Sequence, residues 1–296
     1  MSDRTATLIK GAPPNGKASF IDLLRASMDF ALQRQRVCLL PRVLHVAVDG
    51  DIGAGKSLLL DRLRDAVAVA QRSAQDAGPE NVLRQPEPHE HYTAAPAPGA
   101  DSRTVDMVGA MYAGELDGAA AQMYIAAAHA AATRATLGYA ATLAHSAIVL
   151  IERSPRGNAA FARVRCPDVH APPACAYHHV CAALDAPVPH VIVRLRAPHA
   201  LALQRIAARG RPAESAVDAP YLARVADAYA ALGAEPASAA LHGSSIELDF
   251  DACLDASTAE YGTAVRDLAA VLVSLSAPAA APVAAPVAAP AAVPAP

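Results

Sequence analysis

The sequence predicts an α/β fold in which a parallel sheet is flanked by helices. Three observations support this class. Short apolar runs alternate with segments of helical periodicity. The runs are nearly continuous in apolar residues, which is typical of parallel strands buried on both faces. The first run ends in a glycine-rich turn that opens directly into a helical segment. Functional groups are therefore expected just beyond the carboxyl ends of the strands.

The elements follow in order along the chain. Residues 44–48 predict the first strand, and residues 57–70 carry leucines at helical spacing. Further apolar runs predict strands at residues 82–84, 147–151, 190–195 and 245–250. Three regions are expected: an N-terminal extension with a helix over residues 1–40, a main domain over residues 41–275, and a disordered tail of Ala, Pro and Val over residues 276–296.

Composition limits the classes of partner. The 25 basic and 28 acidic residues nearly cancel, so no nucleic-acid partner is predicted. Five scattered cysteines without a C-x-x-C pair favour a reducing compartment, and the Cys/His segment between residues 166 and 181 lacks the tight spacing of a zinc site. With no leader pattern and no long apolar stretch, we expect a cytoplasmic protein without a membrane partner, in the host cytoplasm if the source is viral.

The stretch "VDGDIGAGKS", residues 48–57, is the strongest motif. It fits the pattern G-x-x-x-x-G-K-[ST], in which backbone N–H groups of a strand-to-helix loop cradle phosphates. Lys56 would reach the terminal phosphates and Ser57 would ligate Mg²⁺. The residues expected to hold a nucleoside triphosphate are Gly50, Asp51, Ile52, Gly53, Ala54, Gly55, Lys56 and Ser57.

Two further segments place charged groups after predicted strands. In "QPEPHEHY", residues 85–92, Glu87 could accept a proton from a substrate hydroxyl. In "IVLIERSPRGN", residues 148–158, an apolar strand delivers Glu152 and Arg153 to the sheet edge, where they could face Mg²⁺ and phosphate. Alternatively, Glu87 is a solvated loop residue, and Glu152 and Arg153 form a purely structural ion pair.

An arginine cluster follows in "RLRAPHALALQRIAARGRPAE", residues 194–214. Arg205 and Arg209 share a helix face, and Arg211 lies just beyond Gly210. The cluster would repel itself unless an anion lies among it, although a solvated basic face is the alternative. With the preceding motifs it predicts a phosphoryl transferase with an Arg-rich lid, which acts mainly by positioning and electrostatic stabilisation.

Over residues 44–272 the chain resembles the deoxynucleoside kinase family, which includes cellular deoxynucleoside kinases and herpesvirus-type thymidine kinases. The resemblance rests on the order of "DGDIGAGKS", "EPHEHY", "ERS", "RIAARGRPAE", "YLARVADAYAAL" and "IELDFD". It implies a P-loop kinase fold, ATP and Mg²⁺ as cofactors, a deoxynucleoside substrate and a homodimer.

The resemblance also implies catalytic roles. Glu87 resembles the general base for the nucleoside 5′-hydroxyl, and Arg153 resembles the arginine that contacts that oxygen and the base. Glu152 and Ser57 correspond to groups around Mg²⁺. The matches to phosphate-binding and lid positions are Lys56, Arg205, Arg209 and Arg211.

The remaining carry-over concerns the nucleoside. Tyr112 and Glu214 resemble the pair that holds the 3′-hydroxyl, and Gln122 resembles the glutamine that pairs with the nucleobase. Tyr92 replaces the family's usual tryptophan, and Asn158 occupies a variable position near the nucleobase.

The helix of Gln122 would also present Ile125 and His129 to the nucleobase. Because an apolar Ile125 leaves room for a 5-methyl group, thymidine is expected ahead of deoxycytidine. The predicted activity is transfer of the γ-phosphoryl group of ATP to a deoxynucleoside 5′-hydroxyl. The alternatives are a thymidylate-type nucleoside monophosphate kinase and a non-enzymatic P-loop module.

Overall fold

The computed structural model describes residues 43–73, 81–96, 104–143, 145–167, 172–234, 245–251 and 256–276. The predicted N-terminal helix and the Ala/Pro tail lie outside these residues. In chain order the elements are β1 (Val43–Gly50), α1 (Lys56–Ser73), β2 (Val82–Gln85), α2 (His89–Thr93), β3 (Ala95–Pro96), β4 (Thr104–Val105), α3 (Met107–Ala113), α4 (Gly118–Thr142), β5 (Ala147–Glu152), α5 (Pro155–Arg165), α6 (Pro172–Ala183), β6 (Val191–Arg196), α7 (His199–Arg209), a 3₁₀ turn (Pro212–Glu214), α8 (Ala219–Ala234), β7 (Ile246–Asp251) and α9 (Ala259–Ser276).

Five strands form one parallel sheet in the order β2-β5-β1-β6-β7, which confirms the predicted class. β3 and β4 form a separate antiparallel pair. The chain leaves β1 towards one edge of the sheet and later crosses to β6 on the other side of β1. The crevice created by this reversal lies at the carboxyl ends of β1 and β5, where α/β proteins bind ligands.

The central strand shows how the two faces of the sheet are built. Leu44, Val46 and Val48 point to one face, where they pack with buried leucines of α1 and α9. The alternate positions of β1 face the other side of the sheet, where α4 contacts this strand, and they include the buried polar residues His45 and Asp49. The central strand therefore carries two buried polar side chains on the face opposite α1 and α9.

The edge strand β7 departs from the pattern of strands buried on both faces. Ile246, Leu248 and Phe250 face the core, whereas Glu247 and Asp249 on the opposite face are exposed. Exposed charges of this kind are usual where one face of an edge strand is uncovered. Charges of this kind disfavour pairing of an edge strand with strands of other chains.

Two helices near the crevice begin at side-chain caps that fix their first turns. Ser154 caps α5 by accepting a hydrogen bond from the Gly157 N–H, and Pro155 occupies the first helical position. Asp117 caps α4 by accepting from two backbone N–H groups. Both starts are thus encoded locally, and they set the direction of the helices that line the crevice.

Candidate active site

The loop of residues 50–57 joins β1 to α1 at the crevice. Gly53 has φ +77°, a left-handed conformation, and a Cβ there would lie 2.4 Å from the Ala202 carbonyl oxygen. Ile52 packs against the core beneath α7 and α8, and Ala54 is buried against α1. The glycine pattern therefore allows the loop to lie directly against the backbone of α7.

The lysine of this loop is buried, with 5% of its surface exposed. Its ammonium group donates to the Asp51 carbonyl oxygen at 2.9 Å. Burial, and then the nearby Arg153 charge, lowers the pKa of Lys56 to about 8. Lys56 is therefore still mostly protonated at pH 7, as a phosphate ligand must be.

Asp51 is the one acidic residue in the loop. Burial raises the pKa of its carboxyl group, and the positive charge of Lys56 opposes that rise. The residue that the motif places beside the phosphates is thus less readily ionised than an exposed aspartate, which reduces its repulsion of an anion.

A hydroxyl and a carboxylate meet at the start of α1. Ser57 donates from Oγ to Glu152 Oε2 at 2.9 Å, and Glu152 is 5% exposed. Two hard oxygen ligands beside a phosphate-binding loop fit Mg²⁺, which prefers one or two carboxylates together with phosphate oxygens. The pair predicted from the sequence is thus brought together.

Arg153 and Glu87 form an ion pair across the crevice, with 3.1 Å between Arg153 Nε and Glu87 Oε1. Arg153 also lies 4.3 Å from the centroid of the Phe161 ring. Burial alone would raise the pKa of Glu87, but the guanidinium outweighs it and holds that pKa well below its usual range. Glu87 is therefore ionised at neutral pH and able to accept a proton.

The backbone of Arg153 is unusual. Its φ of +72° lies in the left-handed region, which costs a non-glycine residue about 1–3 kcal/mol. Its N–H donates to the Val48 carbonyl at 3.0 Å, and its guanidinium approaches the Gly50 carbonyl at 3.5 Å. The conformation turns the side chain away from β5 and into the crevice.

A second polar pair lies next to this one. Tyr92 and His129 are both buried, and 2.8 Å separates the Tyr92 hydroxyl from His129 Nε2. Burial lowers the pKa of His129 to about 4, although Glu87 partly opposes this shift. The neutral imidazole can accept a hydrogen bond from the tyrosine hydroxyl, and together the two rings form a wall beside Glu87.

The remaining predicted nucleobase residues, Gln122 and Asn158, are both buried. Gln122 is 4% exposed on α4, and its amide nitrogen approaches the Met111 sulfur at 3.7 Å. Asn158 is 3% exposed on α5 and lines a cavity of about 10 Å³ together with His129 and Arg153. That volume holds about one water molecule.

The predicted lid arginines divide into two groups. Arg205 donates to the carbonyl oxygens of Ala54 at 3.0 Å and Gly53 at 3.4 Å, directly on the phosphate loop. Arg209 and Arg211 instead contact the Glu214 carboxylate, at 3.0 Å and 3.4 Å. The shared helix face of Arg205 and Arg209 thus serves two different partners.

Tyr112 and Glu214 were predicted to act as a pair, and α3 does lie against the 3₁₀ turn that carries Glu214. The Tyr112 ring, however, packs against Tyr221 with 6.3 Å between centroids, and the Arg165 guanidinium lies over both rings. In this structure Glu214 is engaged by the lid arginines. The two elements are adjacent, but the two side chains have separate partners.

The sequence did not lead us to predict Asp49 and Ser154 as parts of the site. Asp49 is 1% exposed and accepts hydrogen bonds from the Ser154 N–H at 2.7 Å and the Ser154 hydroxyl at 2.5 Å. An aspartate inside an apolar strand was one available signal. The other was a serine followed by proline, which is typical of a helix N-cap.

Comparison with known protein families identifies a relationship over most of the chain. The sequence model of the deoxynucleoside kinase family matches residues 46–262, which is well over half of the chain. A search of the curated proteins returned no match. None of the helices that the structure describes combines the length and apolar composition needed to cross a membrane.

Proposed function

Because the chain belongs to the deoxynucleoside kinase family, we propose that it transfers the γ-phosphoryl group of ATP to the 5′-hydroxyl of a deoxynucleoside, with thymidine as the preferred acceptor. The observation that carries this proposal is the ion pair beside the phosphate loop between the buried Arg153 guanidinium and the partly exposed Glu87 carboxylate. An ionised carboxylate at this point suits an acceptor that must lose a proton, as a hydroxyl does. A nucleoside monophosphate offers an anionic acceptor and has no need of it.

Each group near the loop has a role in this proposal. Lys56 and Arg205 bind the phosphates, and Arg153 holds the 5′-oxygen near Glu87. Ser57 and Glu152 would hold Mg²⁺, which would supply charge neutralisation for the transferred phosphoryl group. Arg209 and Arg211 contribute from the lid once phosphates compete with Glu214 for their N–H groups.

The nucleoside is assigned to the neighbourhood of Tyr92, Gln122 and Asn158, all of them buried. A glutamine amide donates and accepts at once, which suits the paired groups on a pyrimidine edge. Ile125 is 8% exposed on the same helix and offers an apolar surface for a 5-methyl group. Tyr112 and Glu214 are assigned to the 3′-hydroxyl, and a homodimer in the cytoplasm is proposed from the family resemblance.

The test is an assay of ATP-dependent phosphorylation with the four deoxynucleosides and dTMP as acceptors. Thymidine should be converted fastest, and Glu87→Gln should lower kcat by about 10²–10⁴-fold because the general base is lost. The matched control is Glu90→Gln, which neutralises an exposed carboxylate on the neighbouring helix α2. Conversion of dTMP alone, or full activity of Glu87→Gln, would contradict the proposal.

A further inference from the structure

A buried carboxylate at the end of β1 has no part in the function proposed so far. Both oxygens of Asp49 are engaged by one residue: Oδ1 accepts from the Ser154 N–H and Oδ2 from the Ser154 hydroxyl. A carboxylate that is 1% exposed is costly unless such bonds compensate the loss of water. The pair therefore links the strand that precedes the phosphate loop to the residue that follows Arg153.

The link extends into α5. The Ser154 hydroxyl oxygen also accepts from the Gly157 N–H at 2.9 Å, so one side chain joins Asp49 to the first turn of the helix. A Cβ on Gly157 would lie 2.3 Å from Asp49 Oδ1, which shows how closely the helix start approaches the carboxylate. The position of α5 relative to β1 is thus set by a short chain of contacts.

Arg153 is held between two attachments to β1. On one side its own N–H donates to the Val48 carbonyl, and on the other side Ser154 is bound to Asp49. A left-handed φ in an arginine persists only where the surroundings over-determine it. The two attachments supply that constraint and direct the guanidinium to Glu87.

We infer that Asp49 is a positioning residue: through Ser154 it fixes the turn that carries Arg153 and thereby holds the Arg153 guanidinium against Glu87. This inference rests on the proposed function, because the value of the arrangement lies in the alignment of the acceptor hydroxyl. Asp49 itself does not touch the substrate. Its effect is exerted through the geometry of Arg153.

A simpler role for Asp49 is to balance nearby positive charge. Arg156 is buried close to Asp49, but its guanidinium is paired with Glu247. If charge balance were the whole role, neutralising Asp49 would leave Arg153 and Glu87 unaffected. The two roles therefore differ in what they predict for the titration of Glu87, which Asp49 does not contact.

The experiment compares Asp49→Asn, Ser154→Ala and the double variant with the wild-type chain. Asparagine keeps the shape but places an amide N–H against the Ser154 hydroxyl, whose own proton then loses its acceptor. The expected result is a fall in kcat of about 10–100-fold with KM for ATP and nucleoside within about threefold, since a misplacement near 1 Å can cost that much. Because both changes break one link, the double variant should be little slower than either single variant.

The matched control is Asp249→Asn, which neutralises an exposed carboxylate on the same sheet that pairs with Arg196. It should retain wild-type kcat. Ser154→Ala adds no donor to the buried site and tests the same link if Asp49→Asn does not fold.

A second readout follows Glu87 directly by carbon-13 NMR titration of its carboxyl group. If Arg153 moves away in Asp49→Asn, Glu87 should titrate at a higher pH than in the wild type, and the acid side of the kcat profile should move with it. The inference would be overturned by any of three results: an unchanged pH of Glu87 titration, a kcat of Asp49→Asn within twofold of wild type, or a loss of kcat in the double variant equal to the product of the losses in the single variants. The titration needs no turnover, so it decides the role of Asp49 even if the wild-type chain phosphorylates no nucleoside and the proposed function fails.

Discussion

Gly53→Ala is the substitution that tests the contact between the phosphate loop and α7. Gly53 has φ +77°, and an added Cβ would lie 2.4 Å from the Ala202 carbonyl oxygen and 3.0 Å from its carbonyl carbon. These are backbone atoms of a helix, so they cannot rotate aside as the end of a flexible side chain could. Either the loop or α7 must move.

Gly114 provides the matched control for the size of this effect. It has the same φ of +77° at the end of α3, and a Cβ there would meet nothing within 4 Å. Gly114→Ala should therefore cost only the left-handed conformation, about 1–2 kcal/mol. Gly53→Ala should cost the same plus about 1–3 kcal/mol for the steric overlap, or about 2–5 kcal/mol altogether.

The assay is urea unfolding of both variants beside the wild type, with KM for ATP measured on each. Part of the overlap can be relieved if α7 withdraws, and Arg205 would then leave the carbonyls of Gly53 and Ala54 and raise KM for ATP. Gly114→Ala should leave that KM unchanged. Equal free energies of unfolding for the two variants, together with an unchanged KM for ATP in Gly53→Ala, would refute the contact.

Two further predictions concern stability alone. The pKa of His129 is lowered to about 4 and that of His45 to about 3, mainly by burial, so the unfolded chain binds protons at pH values where the folded chain does not. The free energy of unfolding should fall as the pH drops from about 6.5 towards 4, by up to about 3 kcal/mol for His129. Denaturant titrations at several pH values should show that this free energy depends less on pH in His129→Gln than in the wild type. An equal dependence on pH in the two proteins would contradict the assignment. Gly138→Ala, at a helical position of α4 where a Cβ meets nothing within 4 Å, should raise the free energy of unfolding by about 0.5–1 kcal/mol; a loss of stability would show that this turn is not a regular helix.

The strands could be predicted because their signal is local. The run at residues 147–151 became β5, Ala147–Glu152, and the run at residues 82–84 became β2, Val82–Gln85. Apolar composition and bounding turn residues are properties of the segment itself. The order of the strands, with β1 at the centre, depends on pairing between distant segments, which no local pattern carries.

Part of the site could be predicted because the carboxyl ends of neighbouring parallel strands lie at the same edge of the sheet. Glu152 is the last residue of β5, Arg153 follows it, and Lys56 lies beyond the neighbouring β1, so a parallel sheet brings them together. The left-handed backbone of Arg153 and the bond between Tyr92 and His129 depend on packing that the sequence does not display. The division of the lid arginines between the loop carbonyls and Glu214 is likewise a tertiary property.

The partners of the basic groups around the loop explain how the chain keeps its phosphate ligands in place. Lys56 donates to the Asp51 carbonyl, Arg205 donates to loop carbonyls, and Arg209 pairs with Glu214. Cations packed together without such acceptors would repel one another, whereas dipolar carbonyls and one carboxylate hold them within reach of the crevice.

A nucleoside triphosphate offers Lys56 and Arg205 charged acceptors, and hydrogen bonds between charged partners are stronger than those to the neutral carbonyls that these two residues contact here. When phosphate binds, the basic side chains would exchange one hydrogen-bond acceptor for another. No loss of conformational freedom by unbound side chains would be needed. Since Glu214 is also the group assigned to the nucleoside 3′-hydroxyl, the same exchange would release its carboxylate towards the acceptor as Arg209 and Arg211 turn to the phosphates.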